Sequence, residues 1–281
     1  MAVAMCVVSG NLLTIIAFFK FKTLQDATNC LICNQSFADV MQITVTWVYA
    51  YCTYIPSGKA FISVNKYPCL IYLWASSTTL ISSFVNIMAI SIERLIAITL
   101  PFINRNPHKK KAILLWIIAV WVGIILFTSL PTLGVNNWRS ERACNVYFVY
   151  TETFLMYCTF IPMFVILALT ALLNIIIGIS VLRRRLRRAK VGPGGQELTQ
   201  AKKSANLKIT LMLLMVVSAF YVCWMPYLSI TCYSLFNPLL YAAKPNLAIV
   251  HEFSKVLMMV NGALNPFIYA NRNPQFKKAF K

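Results

Sequence analysis

Apolar residues in this chain neither alternate with polar ones nor recur as the single stripe of a surface helix. They run on in long blocks separated by short polar punctuation. Crossing about 30 Å of hydrocarbon takes roughly 20 mainly apolar residues per helix. Seven blocks have that length, at about Met1–Phe19, Asn29–Tyr54, Cys69–Ile98, Ala112–Leu133, Tyr150–Leu182, Ile209–Leu235 and Leu247–Ala270. With no β-barrel alternation, the pattern predicts an all-α membrane protein built as a seven-helix bundle over residues 1–271. In the tail NPQFKKAFK, Phe276 and Phe280 lie four apart among lysines, which predicts a short amphipathic helix over 272–281 lying on the membrane surface.

Composition agrees: 59% of the 281 residues are hydrophobic and 12% charged, and mean hydropathy is +0.69. The first block starts at residue 1 without a basic leader or a small-residue cleavage site, so it is expected to be a true span rather than a removed signal. Its start leaves no room for an outer tail, which predicts a chain trimmed from a longer protein. The net charge of +19 is distributed by side. If seven helices alternate, Lys20, Lys22, Arg94, Arg105, Lys109 to Lys111, Arg183 to Lys190, Lys202, Lys203, Lys208, Arg272, Lys277, Lys278 and Lys281 fall on one face, and only Lys59, Lys66, Arg139, Arg142, Lys244 and Lys255 on the other. The positive-inside rule makes that face cytoplasmic and puts the N-terminus outside. A basic run wedged between two spans points to anionic lipid or an acidic cytosolic partner and argues against nucleic acid.

Most of the nine cysteines lie within spans and read as small packing residues; the CxxC of Cys30 and Cys33 has nothing nearby to complete a metal site. Cys69 and Cys144 both fall on the outer, oxidising side, where a disulfide would tie a loop over the mouth of the bundle. The segment from Arg183 to Ser204 is read as a loose cytoplasmic loop broken at Val191 to Gly195. No internal repeat is visible.

Polar groups at mid-span depth are costly and mark function or helix–helix glue. Asp39, Asn11, Ser83, Asn261 and Asn265 are such groups. On spacing alone they read equally as a structural polar cluster or as a cation or proton site. Pro162, Pro226 and Pro266 each remove a helical hydrogen bond at mid-depth and predict kinks. Cys69 and Arg94 are separated by 25 residues, roughly 37 Å of helix, so Glu93 and Arg94 reach the cytoplasmic mouth, as a switch or as a snorkelling end.

In order and at their depths, these residues resemble the rhodopsin-like (class A) G-protein-coupled receptors over nearly the whole chain. The resemblance rests on Gly10 and Asn11 in the first span, Phe37 to Asp39 in the second, Cys69, Glu93–Arg94–Leu95, Trp121, Pro162, the CWMP of Cys223 to Pro226 and the NPFIY of Asn265 to Tyr269. It implies no enzyme but a plasma-membrane receptor that takes an extracellular ligand and activates a heterotrimeric G protein, with arrestin as a further partner. It implies a sodium ion at Asp39 with Ser83, Asn261 and Asn265, and no other cofactor. Trp224 becomes a rotamer switch, and Pro162, Phe84 and Phe220 a connector. Arg94 is implied to be held by Glu93 at rest and released toward Gα, with Asn265, Pro266 and Tyr269 sharing the rearrangement. Leu95, Thr170 and Asn206 depart from common family residues.

The ligand is less legible. No aspartate follows Cys69 by one to two turns, which disfavours a monoamine, and Met259 stands where a retinal lysine would be. The expected pocket lining is Ser76, Thr79, Trp224, Tyr227, Thr231, His251, Glu252 and Lys255. Lys255 is read either as the receiver of a carboxylate or phosphate or as the partner of Glu252 or Glu152. His251 is read as a rim residue. The competing readings are a receptor-fold protein that does not signal, as a decoy or dimer partner, and a transporter, which would predict repeats and broken helices.

Overall fold

The computed structural model describes residues 2–100, 108–140, 142–190, 197–237 and 244–279. Among them there is no strand, only a single antiparallel β-bridge between Asn136 and Tyr150. The helices are α1 (Ala2–Lys20), α2 (Ala27–Tyr54), α3 (Pro56–Val64), α4 (Lys66–Thr99), α5 (Lys109–Leu133), the single turn α6 (Val146–Val149), α7 (Ile161–Lys190), α8 (Glu197–Phe236), α9 (Pro245–Arg272) and α10 (Pro274–Ala279). Among the described residues, six long helices are apolar enough to cross a membrane by length and composition: α1, α4, α5, the segment 154–183, the segment 207–236 and α9. The seventh expected span, α2, has the length, at 28 residues. It is the more polar because Asn29, Gln35, Ser36 and Asp39 are buried within the protein rather than facing lipid.

One expectation changes. The loose loop from Arg183 to Ser204 is largely helix, since α7 continues to Lys190 and α8 begins at Glu197. The Leu, Arg and Ala of LRRRLRRAK are strong helix formers, so the helix propagates beyond its apolar part. The expected break at Val191 to Gly195 lies outside the described residues. In the tail, α10 follows α9 directly, and the ring of Phe276 is fully buried and stacked on Tyr269 with centroids 6.1 Å apart. Phe280 lies outside the described residues.

The chain divides into two compact units. One comprises residues 26–175. In it α4 packs on α2 and α5, α2 also meets α5, and α3 folds back on both α2 and α4. Asp26 starts α2 by accepting a hydrogen bond from the Asn29 backbone N–H at 2.8 Å, a capping contact. The turn into α3 requires glycine, because a Cβ on Gly58 would lie 2.5 Å from the Tyr51 carbonyl oxygen. A π-helical stretch, Phe154–Phe160, leads into α7 just before Pro162. That is where a missing N–H loosens the regular ladder. The Cys69–Cys144 disulfide joins the head of α4 to the loop after α5, with Cα atoms 5.8 Å apart.

The other unit comprises residues 1–25 and 176–281, in which α9 packs on both α8 and α1 and α10 folds back on α9. Its buried apolar side chains include Val7, Leu24, Ile177, Met212, Val216, Phe220, Tyr269 and Phe276.

Candidate functional site

The charged pair of the third span is buried. Glu93 and Arg94 are 4% and 5% exposed, which rules out a snorkelling end. Arg94 pairs with Glu93 Oε2. Its Nη2 also donates to the Thr28 hydroxyl on α2, and that hydroxyl in turn donates to Glu93 Oε1 at 3.2 Å. Lys109, at the first turn of α5, donates from Nζ to the same Oε1 at 2.7 Å. One carboxylate therefore holds three helices, α2, α4 and α5, through two cations and a hydroxyl. A buried acid in low dielectric is tolerable only with such compensation.

Seven residues earlier on α4, about two turns, Asn86 begins a second polar group. Its Nδ2 donates to Gln35 Oε1 at 2.9 Å and to the Leu31 carbonyl at 3.1 Å, while its Oδ1 accepts from Asn34 at 2.9 Å. Trp121 donates its indole N–H to Asn34 Oδ1 at 2.8 Å, bringing in α5. Gln35 closes the chain by donating to Asp39 Oδ1 at 3.0 Å. Asp39 is thus part of a side-chain network that glues α2, α4 and α5. Ser83 is also buried in this unit. The oxygen donors at Asp39 and Ser83 have the chemistry that a hard cation accepts.

Further along the unit Thr79 donates to Gln42 Oε1 at 2.7 Å, and Thr78 and Thr128 share a 2.7 Å contact between α4 and α5. Ser77 meets the Tyr150 hydroxyl at 3.1 Å. Phe84 is buried. Thr170 donates to the Ile166 carbonyl of its own helix at 2.7 Å, and its neighbour Asn174 reaches across to the Ser91 hydroxyl of α4 at 2.8 Å.

In the other unit, Asn11 donates to the Gly262 carbonyl at 2.9 Å. Proline at 266 has no N–H to give that carbonyl its usual helical partner, so the first span supplies the donor that the seventh lacks. Gly10 makes the approach possible, since a Cβ there would lie 3.0 Å from the Pro266 ring. Asn261 and Asn265 are buried beside this contact in α9. Trp224 is buried and stacks on Phe220 at 5.4 Å. Towards the other end of α8 and α9, His251 stacks on Tyr227 at 5.0 Å and shares a 3.2 Å hydrogen bond with Thr231. Lys255 pairs with Glu252 at 2.6 Å on a partly exposed surface. The side chain of Asn206 lies outside the described residues.

The ordered motifs on buried helices decide the family. The model of the family described as 7 transmembrane receptor (rhodopsin family) matches residues 10–269. The chain belongs to that family. It is a multi-pass membrane protein of the receptor class and not an enzyme. It is similar to the tachykinin-like peptides receptor 86C of Drosophila melanogaster, 24% identical over 98% of this chain and 55% of that protein. It is similar also to somatostatin receptor type 4 of Rattus norvegicus, 25% identical over 97% of this chain and 68% of the relative. Adenosine receptor A2a of Canis lupus familiaris is 25% identical over 100% of this chain and 70% of its own length. The chain thus spans just over half the length of the first of these relatives.

Sequence reasoning missed Thr28, Lys109, Asn34, Gln35, Asn86 and Asn174. Gln35 and Asn86 had a usable signal, lying one turn from Asp39 and two turns from Glu93 inside apolar helices. Lys109 had none, because it reads as one more cytoplasmic cation.

Proposed function

We propose that the protein is a plasma-membrane receptor that binds an extracellular ligand and activates a heterotrimeric G protein. The observation that carries this reading is the buried Glu93–Arg94 pair at the cytoplasmic end of the third span, clamped by Thr28 and Lys109. In the resting protein Arg94 is occupied by Glu93. Ligand binding shifts the helices, frees the guanidinium and offers it to the C-terminal helix of a Gα subunit, with Asn265, Pro266 and Tyr269 joining the rearrangement. A ligand does this only by binding the released arrangement more tightly than the resting one. Arrestin is a second cytoplasmic partner of the same released state.

The ligand contacts assigned to this reading are Ser76 and Thr79 on α4, with Trp224, Tyr227, Thr231, His251, Glu252 and Lys255 on α8 and α9. Trp224, stacked on Phe220, acts as the rotamer switch, with Pro162 and Phe84 as connectors. A sodium ion at Asp39 belongs to the same reading, and the oxygen chemistry of that side chain supports it. The relatives are named for tachykinin-like peptides, somatostatin and adenosine, so they leave the ligand class open.

The test is nucleotide exchange on a panel of heterotrimeric G proteins with reconstituted protein. Exchange that Arg94→Ala abolishes and Glu93→Gln raises without ligand supports the reading, and unchanged basal exchange in Glu93→Gln removes Glu93 as the restraint. Leu95 and the inward-bonded Thr170 favour a second reading, a receptor fold that does not signal. Absence of Arg94-dependent exchange with every G protein and ligand tried selects it.

A further inference from the structure

We infer that Lys109 is a positioning residue that makes release of Arg94 possible by serving as the counter-ion Glu93 retains when the arginine leaves; this rests on the receptor reading above. The cluster holds one carboxylate and two cations, each cation on a different oxygen: Arg94 on Oε2 and Lys109 on Oε1. Thr28 of α2 is the third contact, neutral, and donates to Oε1 at 3.2 Å. With both cations present the cluster carries one excess positive charge. Departure of Arg94 then leaves a neutral Glu93–Lys109 pair instead of a bare acid at a site where Glu93 is 4% exposed. Without Lys109 the same departure strands an anion in a buried place, which is the expensive way to break a buried pair. The placement suits the role, because Lys109 belongs to α5 and Arg94 to α4. The arginine can swing away without carrying its substitute along. Lys109 therefore ties α5 to the resting cluster and also lowers the barrier to opening it.

Two readouts separate this role from simple packing. The first needs no G protein. In nanodiscs, Arg94→Met and Lys109→Met each leave Glu93 one cation and lower the melting midpoint by no more than about 3 °C. The double variant leaves it none and loses roughly 10 °C or more, well beyond the sum. Adding Glu93→Gln to the double variant restores the midpoint, since the stranded charge is gone. Additive losses, or no restoration by Glu93→Gln, overturn the inference. The second uses a G protein that the wild type activates. Lys109→Met lowers ligand-stimulated exchange roughly tenfold, Lys109→Arg preserves it, and Lys109→Met has no further effect in the Glu93→Gln background. Exchange unchanged or raised in Lys109→Met overturns the inference. If the wild type itself shows no Arg94-dependent exchange, the receptor reading fails, while the melting cycle still decides whether Lys109 is the substitute counter-ion.

Discussion

Two ion-paired carboxylates among the described residues, Glu93 and Glu252, are built on opposite principles. Glu93 in α4 is 4% exposed at its side chain, with Arg94 at 7% and Lys109 at 14%. Its contacts come from two neighbouring helices as well as its own. Glu252 and Lys255 in α9 are 49% and 21% exposed and sit one turn apart on one helix. Exposed pairs of this kind are worth about 0–1 kcal/mol, because water screens the charges and holding two long side chains costs entropy. Removing one member of a buried pair costs roughly 3–5 kcal/mol, because the partner is left charged and dry. The difference separates two tasks. The Glu93 cluster fixes one arrangement of α2, α4 and α5, because each contact leaves a buried charge behind if it is lost. The Glu252–Lys255 pair is cheap to rearrange, because water can replace either partner.

Breaking the inner cluster should give the largest effect. Glu93→Ala leaves Arg94 and Lys109 as facing cations and is expected to cost about 3–5 kcal/mol in thermal unfolding of the reconstituted protein. A loss below 1 kcal/mol would put it in the class of Glu252 and dissolve the contrast. Next comes the covalent tie of the same unit. Cys144→Ser opens the Cys69–Cys144 bridge and is expected to cost roughly 2–5 kcal/mol. Unfolding with and without a reducing agent measures it, and the reductant should affect the wild type but not the variant. Asn86→Leu tests the uncharged network behind the cluster. It leaves Gln35 and Asn34 without their shared partner and should cost about 1–3 kcal/mol. The Asn86→Leu and Glu93→Gln losses should add if the two groups act separately. The smallest effect is expected at the outer pair, where Glu252→Gln should change stability by less than about 1 kcal/mol, and less again in high salt. A large effect there would mean that the pair anchors α9 and would remove the contrast with Glu93.

Legibility followed the same division. The span pattern was readable because hydrocarbon demands long apolar runs whatever the neighbours are. The one span blurred by this criterion, α2, is the one that spends its polar residues on Asn86, Glu93 and Trp121 of other helices. Glu93 and Arg94 were identifiable because two adjacent charges inside an apolar run need an explanation. Their depth followed from counting residues from Cys69. Lys109 was invisible because its composition matches every other inner-face lysine, and only the approach of α5 to α4 separates it from Lys110 and Lys111. The helical continuation of α7 to Lys190 is hard to see in the chain because a dense run of charge resembles a loop, although Arg and Leu are strong helix formers.

The class of solvent, the pattern of long apolar spans, the family, and the residues whose polarity is out of place are all legible in the chain. Each of these depends on periodicity and charge along one dimension. Helix packing settled the partnerships: Asn11 donating to the carbonyl that Pro266 leaves without its helical donor, Asn86 on Gln35, and Lys109 sharing one carboxylate with Arg94. A hydrogen bond or ion pair forms between groups a few ångströms apart in space, and residues tens of positions apart in sequence acquire that proximity only when their helices pack.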